Sequence, residues 1–212
     1  YQLYGVPFRV VDGVVNRGFS GANNLGAAHS RGAALVFLNS DAFPRRPGWV
    51  GALCELLDGD PTIGAVGARL LSANGGIQHA GMRFQWLPEF GIWANVHPGA
   101  GLDPALDPAT GPTEVPAVTG ACLAMRRDDF SRVGGWDTGY VIGDFEDSDL
   151  CLKLRALGRR IVYQPAVELT HLERQSFALL GGGEFRQQVV LVNGLRHQQR
   201  WADVLASQGQ AR

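Results

Sequence analysis

The sequence predicts an α/β domain with a mostly parallel central sheet flanked by helices, on three observations. Two continuously apolar runs, 33–38 (AALVFL) and 63–68, are bounded by turn residues, as in strands covered on both faces. Segments with helical apolar spacing alternate with these runs at the pace of a layered α/β architecture. Carboxylates stand where such a sheet places ligands. Asp41 closes the first run, and Asp144, Glu146, Asp147 and Asp149 crowd the start of a late helix.

Taken in order, residues 8–11 read as a strand leading into a glycine-rich turn. Ser20 is a good N-cap for a helix over 21–30, which Gly32 ends. Pro47 opens a second helix with Val50, Leu53, Leu56 and Leu57 on one side, stopped at 58–61 (DGDP). The stretch 72–116 is rich in glycine and proline and carries Trp86, Phe90 and Trp93. It reads as a possible strand over 82–87 and a mobile loop over 98–112. Its aromatic residues suit either packing or a wall for an acceptor.

Strands are expected at 115–118 and 122–125, then a short helix over 128–133 ended by Gly134-Gly135. The helix over 146–157 has Leu150, Leu154 and Leu157 as its stripe, with Gly158 as its stop. Short strands follow at 160–163 and 166–169. A triple glycine at 181–183 reads as a hinge, and 184–201 is an amphipathic helix with Phe185, Val189, Val192 and Leu195 on its apolar face. The expected organisation is a domain over 1–177 and a hinge with helical extension over 178–212. The start, at Tyr1 with a strand leading straight into a turn, reads as cut from something longer.

Composition narrows the function. With 45% hydrophobic and 18% charged residues, the 212-residue chain is an ordinary globular protein able to bury a sizeable core. A formal net charge of −1 argues against a basic nucleic-acid-binding surface, so no nucleic-acid partner is expected. No apolar run reaches the roughly 20 residues that span a bilayer. Cys54, Cys122 and Cys151 are scattered in apolar settings and read as reduced core thiols, which fits a cytoplasmic setting.

The acids carry the chemistry. Asp41 at a strand's carboxyl end can bind a divalent cation that also touches phosphate, with Asn39 as a neutral oxygen nearby; a turn-shaping role is the plainer alternative. In the late cluster, Asp144 as N-cap and Asp147 near N3 would explain one or two acids, but four exceed what capping needs. Like charges so close raise one another's pKa, and a general base is one use for that. His171 follows a strand and is either a partly buried polar residue or a ligand, and Arg174 is placed to hold a diphosphate. Asn16, Gly18 and Asn23 belong to a turn feeding a helix N-terminus, a natural nucleotide contact.

From 16–41 (NRGFSGANNLGAAHSRGAALVFLNSD), through 118–140 (VTGACLAMRRDDFSRVGGWDTGY) and 145–163 (FEDSDLCLKLRALGRRIVY), to 171–176 (HLERQS), the segments resemble the family-2 glycosyltransferases of the GT-A fold. Bacterial members that build cell-surface polysaccharides are the most similar. The resemblance implies a Rossmann-like sheet and an inverting transfer of a sugar from a nucleotide-diphosphate donor, a UDP- or dTDP-sugar, to a glycan or lipid-linked acceptor. It implies Asp147 as base within Glu146-Asp147, and Asp41 and His171 as ligands of Mg2+ or Mn2+. Asn16, Gly18, Asn23, Asn39 and Arg174 would lie along the nucleotide, and Gly120 with the Trp136-Asp137 turn near sugar and acceptor.

Two departures from the family pattern stand out. Asn39 opens the position where the family's acidic DxD motif begins, and the family's opening strand–turn–helix has no counterpart before residue 8. The second departure keeps a non-catalytic nucleotide- or glycan-binding module as the competing expectation. A nucleotidyltransferase lacks its glycine-rich, lysine-bearing opening here, and a glycosidase would need two carboxylates flanking a sugar bond. The amphipathic helix leaves peripheral association with the inner face of the membrane open beside packing on its own domain.

Overall fold

The computed structural model describes residues 8–13, 15–172 and 183–209. The chain runs α1 (Gly18–His29), β1 (Ala34–Leu38), β2 (Ala42–Pro44), α2 (Trp49–Gly59), β3 (Ile63–Leu71), β4 (Ile77–His79), β5 (Arg83–Leu87) and β6 (Ile92–Val96). A 3-10 turn (Pro104–Leu106), β7 (Thr113–Glu114), β8 (Cys122–Arg126), α3 (Arg127–Arg132), α4 (Glu146–Ala156), β9 (Arg160–His171) and α5 (Gly183–Gly209) complete it.

The expected α/β sheet is present, in the order β1-β8-β3-β9-β2, with β4 on β3 and β7 on β9. Strands β1, β3 and β9 run the same way and form its framework; β3 and β9 pair directly in parallel, whereas β8 lies antiparallel between β1 and β3. All nine residues of β3 are buried, as a continuously apolar strand should be. In β1, Leu35 and Phe37 are buried while Leu38 is exposed, because among the described residues only β8 pairs with it. One core layer holds Phe37, Met125, Trp136, Leu150 and Leu154 beneath α1, α3 and α4; the opposite layer holds Leu53, Leu57, Val66 and Leu169 beneath α2. The three cysteines are free, and burial pushes the Cys122 and Cys151 thiols up to about 12.

Several elements differ from the sequence expectation for definable reasons. Residues 8–11 are not a strand; no described strand pairs with them, and Phe8 and Val10 are exposed. The two strands expected at 160–163 and 166–169 are one, β9. Its register against β3 jumps from Gln164 to Glu168, where Pro165 has no N–H for the ladder. The loop over 98–112 is anchored rather than free. Buried Arg69 donates to Asp107 (2.7 Å), Glu168 (3.0 Å) and the Tyr163 hydroxyl (2.8 Å), and Tyr163 donates to Asp107 (2.6 Å).

Helix α5 packs on β6 of the same domain, but not by the predicted face. Only Val189 of the apolar stripe is buried; Phe185, Val192 and Leu195 are exposed. Val189, Asn193 and His197, spaced four apart, and Leu205 eight further on, face inward instead. Buried polar partners outweigh the apolar stripe. His197 lies between the rings of Phe84 and Phe145 and meets Ser148 Oγ at 3.2 Å, while Gly194 lets the helix approach Ile92. No helix among the described residues is long and apolar enough to cross a membrane.

Candidate active site

The strand ends open onto one cavity of about 1580 Å³, lined among others by Asn16, Gly18, Asn39, Asp41, Glu146, Asp147 and His171. Sheet register makes its first half. Asp41 directly precedes β2, and β2 pairs with β9 so that Ala42 faces His171; Leu172 N donates to Asp41 O at 3.0 Å. The result sets His171 Nε2 3.2 Å from Asp41 Oδ1 and 3.3 Å from Asn39 Nδ2, with Gln78 Oε1 2.7 Å from His171 Nδ1. The three-residue strand β2 that produces this pairing carries no sequence signal, so residue patterning did not show the meeting of Asp41 with His171; only the family resemblance implied it.

Irregular backbone makes the second half. Ile142, Asp144 and Phe145 all have positive φ (63°, 75° and 73°), which costs roughly 1–3 kcal/mol each unless the surroundings impose it. The buried Asn193 of α5 imposes it. Its Nδ2 donates to the carbonyls of Gly143 (2.6 Å), Val141 (3.0 Å) and Asp144 (3.3 Å), and its Oδ1 accepts from Val141 N (2.9 Å). Phe19 N at the start of α1 donates to Ile142 O from the other side. Asp144 is therefore not the N-cap of α4. That place falls to Phe145 in a left-handed conformation with no side-chain cap.

The loop delivers the acids with divided roles. Asp149 is fully buried and structural, accepting from Trp201 Nε1 (2.9 Å) and Tyr140 Oη (3.3 Å) and pairing with Lys153 (3.3 Å). Asp147 accepts from Ser148 N (2.8 Å) and Gly120 N (3.3 Å), at the cavity edge. Burial raises its pKa, opposed by His97, the Ser148 and Gly120 amides and the Thr119 hydroxyl. Glu146 is buried, its Oε2 has no hydrogen-bond partner among the described residues, and burial with Asp147 beside it raises its pKa well above the usual range. Both are pushed up, but Asp147 has the Ser148 and Gly120 amides and the Thr119 hydroxyl to favour its anion where Glu146 has only its own amide, so of this pair Glu146 favours the proton.

The other expected residues divide. Asn16 starts α1 by accepting from Gly18 N (2.9 Å), and the two line the cavity. Asn23 does not line it; its amide turns back onto Phe19 O (3.0 Å) within α1. The Trp136-Asp137 turn is structural. Trp136 is buried against Phe19 and Phe37, and Asp137 pairs with Arg196 and Arg200 of α5. Arg174 and the hinge glycines Gly181 and Gly182 lie outside the described residues. Sequence reasoning missed Gln78, His79 and His97, which also line the cavity. His79 and His97 meet Nδ1 to Nδ1 at 3.0 Å, and His79 Nε2 accepts from Thr119 N at 3.4 Å. A polar Gln-His pair on a short strand was the available signal.

This site belongs to a transferase family. A model of Glycosyl transferase family 2 matches residues 1–134, and the chain belongs to that family. It is 36% identical over 160 residues to the uncharacterized protein y4gI of Sinorhizobium fredii, covering 74% of this chain and 17% of that one. It is 33% identical over 159 residues to the O-antigen biosynthesis protein RfbC of Myxococcus xanthus, covering 73% and 12%. The chain thus spans less than a fifth of the length of these two relatives. A further relative, an N-acetylglucosaminyl-diphospho-decaprenol L-rhamnosyltransferase of Mycobacterium tuberculosis, is 30% identical over 138 residues, 61% of this chain and 44% of that one. The fold is shared with GalNAc-T7, solved with UDP, GalNAc and Mn2+ (TM-score 0.57, 21% identity, 74% of this chain and 31% of that one). It is also shared with a mannosyltransferase of Pyrobaculum calidifontis in complex with GDP-Man and Mn2+ (TM-score 0.51, 19% identity, 95% and 56%).

Proposed function

We propose that this chain carries the centre of an inverting, metal-assisted sugar transferase that uses a nucleotide-diphosphate donor and Asp147 as general base. The observation that carries the reading is that Asp147, hydrogen-bonded by the Ser148 and Gly120 amides, and the Asp41–His171 pair line the same cavity. Among the described residues there is no cluster of three or more metal-ligating side chains, which suits a cation completed by diphosphate oxygens. Asp41 and His171 would hold Mg2+ or Mn2+. When bound, the ion neutralises charge on the departing nucleoside diphosphate. The two solved neighbours that carry Mn2+ with a nucleotide, and the relatives named for O-antigen synthesis and rhamnosyl transfer, support the class of donor and a glycan or lipid-linked acceptor.

Asp147 takes the proton of an acceptor hydroxyl as that oxygen bonds to the anomeric carbon and the carbon–oxygen bond to the diphosphate breaks, inverting the centre. Glu146, kept neutral, does not compete as a base; it offers a hydrogen-bond donor at the cavity edge. Asn16, Gly18 and Asn39 line the cavity where the nucleotide would lie, and Arg174, outside the described residues, is assigned to the diphosphate from the sequence. Leu87, Phe90 and Ile92, from the β5–β6 hairpin, form an apolar wall suited to the acceptor.

Titration calorimetry with UDP and dTDP, with and without Mn2+, tests this. Metal-dependent binding that Asp41→Ala removes is the expected result and identifies the base. Binding of neither nucleotide to folded protein would sink the reading.

A further inference from the structure

We infer that strand β4 sets two cavity histidines in opposite tautomers, Gln78 leaving His171 with a bare Nε2 toward Asp41 and His79 leaving His97 with an Nε2–H donor. The inference deepens the transferase reading by naming positioning residues for its metal and acceptor sides.

Gln78 and His79 are adjacent on a strand, so their side chains leave it on opposite faces. Gln78 Nε2 donates to the backbone carbonyl of His171 (3.4 Å), which fixes the amide with Oε1 toward the ring. Oε1 only accepts, so His171 Nδ1, 2.7 Å away, must carry the proton. In the neutral ring Nε2 is then a lone pair, matching the approach of Asn39 Nδ2 at 3.3 Å. That lone pair and Asp41 Oδ1 stand 3.2 Å apart. Two acceptors so placed repel unless a proton or a metal cation lies between them, and a divalent cation bound with the diphosphate would serve. Orienting a ligand histidine through its second nitrogen is the general device of metal sites.

The argument for His97 is independent. Thr119 N–H can only donate, so His79 Nε2 accepts and its proton sits on Nδ1. That N–H faces His97 Nδ1 at 3.0 Å, which must accept, leaving the His97 proton on Nε2. Burial, with His97 and His171 alongside, holds His79 well below the usual imidazole range and so keeps it neutral. His97 lines the same cavity as Asp147, so the pair offers a hydroxylated acceptor a fixed donor beside the proposed base.

Long-range proton–nitrogen NMR of the whole chain at pH 8, saturated with UDP and Mg2+, reads all three tautomers. Protons on Nδ1 of His171 and His79 and on Nε2 of His97 are expected; a proton on His171 Nε2 or on His97 Nδ1 overturns the corresponding assignment. Gln78→Leu should weaken Mn2+ binding to the UDP-saturated protein roughly 10- to 100-fold at unchanged Tm, and Gln78→Glu should recover it. Unchanged Mn2+ affinity in Gln78→Leu, with UDP still bound, overturns the role of Gln78 and leaves the transferase reading standing. Expected tautomers with no Mn2+ or nucleotide binding to the wild type would overturn that reading and the ligand role of His171 together.

Discussion

The two halves of the cavity are built by opposite means. Asp41 and His171 are set by a strand register, so regular ladder bonds hold them from within the sheet. Asp147 is set by a left-handed loop that regular structure does not supply, and a helix fifty residues later holds that loop through Asn193. A cation site tolerates being built from two side chains and a ligand's oxygens. A base must meet one hydroxyl at one distance, and the irregular, braced backbone stands on that side.

The largest effect should come from removing the proposed base. Asp147→Asn is expected to lower sugar transfer by roughly 10²- to 10⁴-fold while nucleotide binding by calorimetry stays intact. Parallel loss of both would tie the halves together and erase the contrast. Asp41→Ala should do the reverse, abolishing Mn2+-dependent nucleotide binding and leaving the loop intact by hydrogen exchange.

Asn193→Ala attacks the brace. It strands buried carbonyls at about 2–3 kcal/mol, a fall of roughly 5–10 °C in Tm, and should slow transfer more than it weakens Mn2+ binding. Equal damage to both would show that the loop and the sheet edge are one unit.

Acid should loosen the α5 side first. Burial brings His197 down to about 4 from 6.5 and holds His79 well below its ordinary value. In that window the unfolded chain binds more protons, so stability is lost as pH falls below 6.5, measurable as Tm against pH. Glu146→Gln should change least, keeping transfer within about a few-fold if the carboxyl is already neutral. Because the folded pKa of Glu146 is raised, the folded chain binds the extra proton and stability drops as pH rises. The variant should therefore match the wild type in acid and exceed it in Tm above neutrality. A collapse of activity would instead make Glu146 an anion in the reaction.

How much of this was legible follows the same division. Apolar runs announced β1, β3, β8 and the sheet, and the acids announced themselves by position and crowding. Which acid did what was not legible. Asp144, Glu146, Asp147 and Asp149 look alike in sequence, and only burial and donors separate an anchor (Asp149), a neutral acid (Glu146) and a base candidate (Asp147). The Asp41–His171 pairing hid behind β2, too short to show a period. The α5 face was misread because apolar spacing cannot reveal that Asn193 and His197 have buried partners waiting. Asn23 and the Trp136-Asp137 turn looked like ligand contacts because polar or aromatic residues in turns serve anchoring and binding equally well.

The distance in sequence between Asn193 and the loop it latches also orders events in time. In the order of synthesis, the strands that bring Asp41 to His171 precede Asn193. A chain that ends before Asn193 therefore carries the proposed cation pair without the brace that shapes the loop before the proposed base. Such a chain, released and folded, should take up Mn2+ with nucleotide yet transfer no sugar, so that cation binding and base placement separate along the sequence.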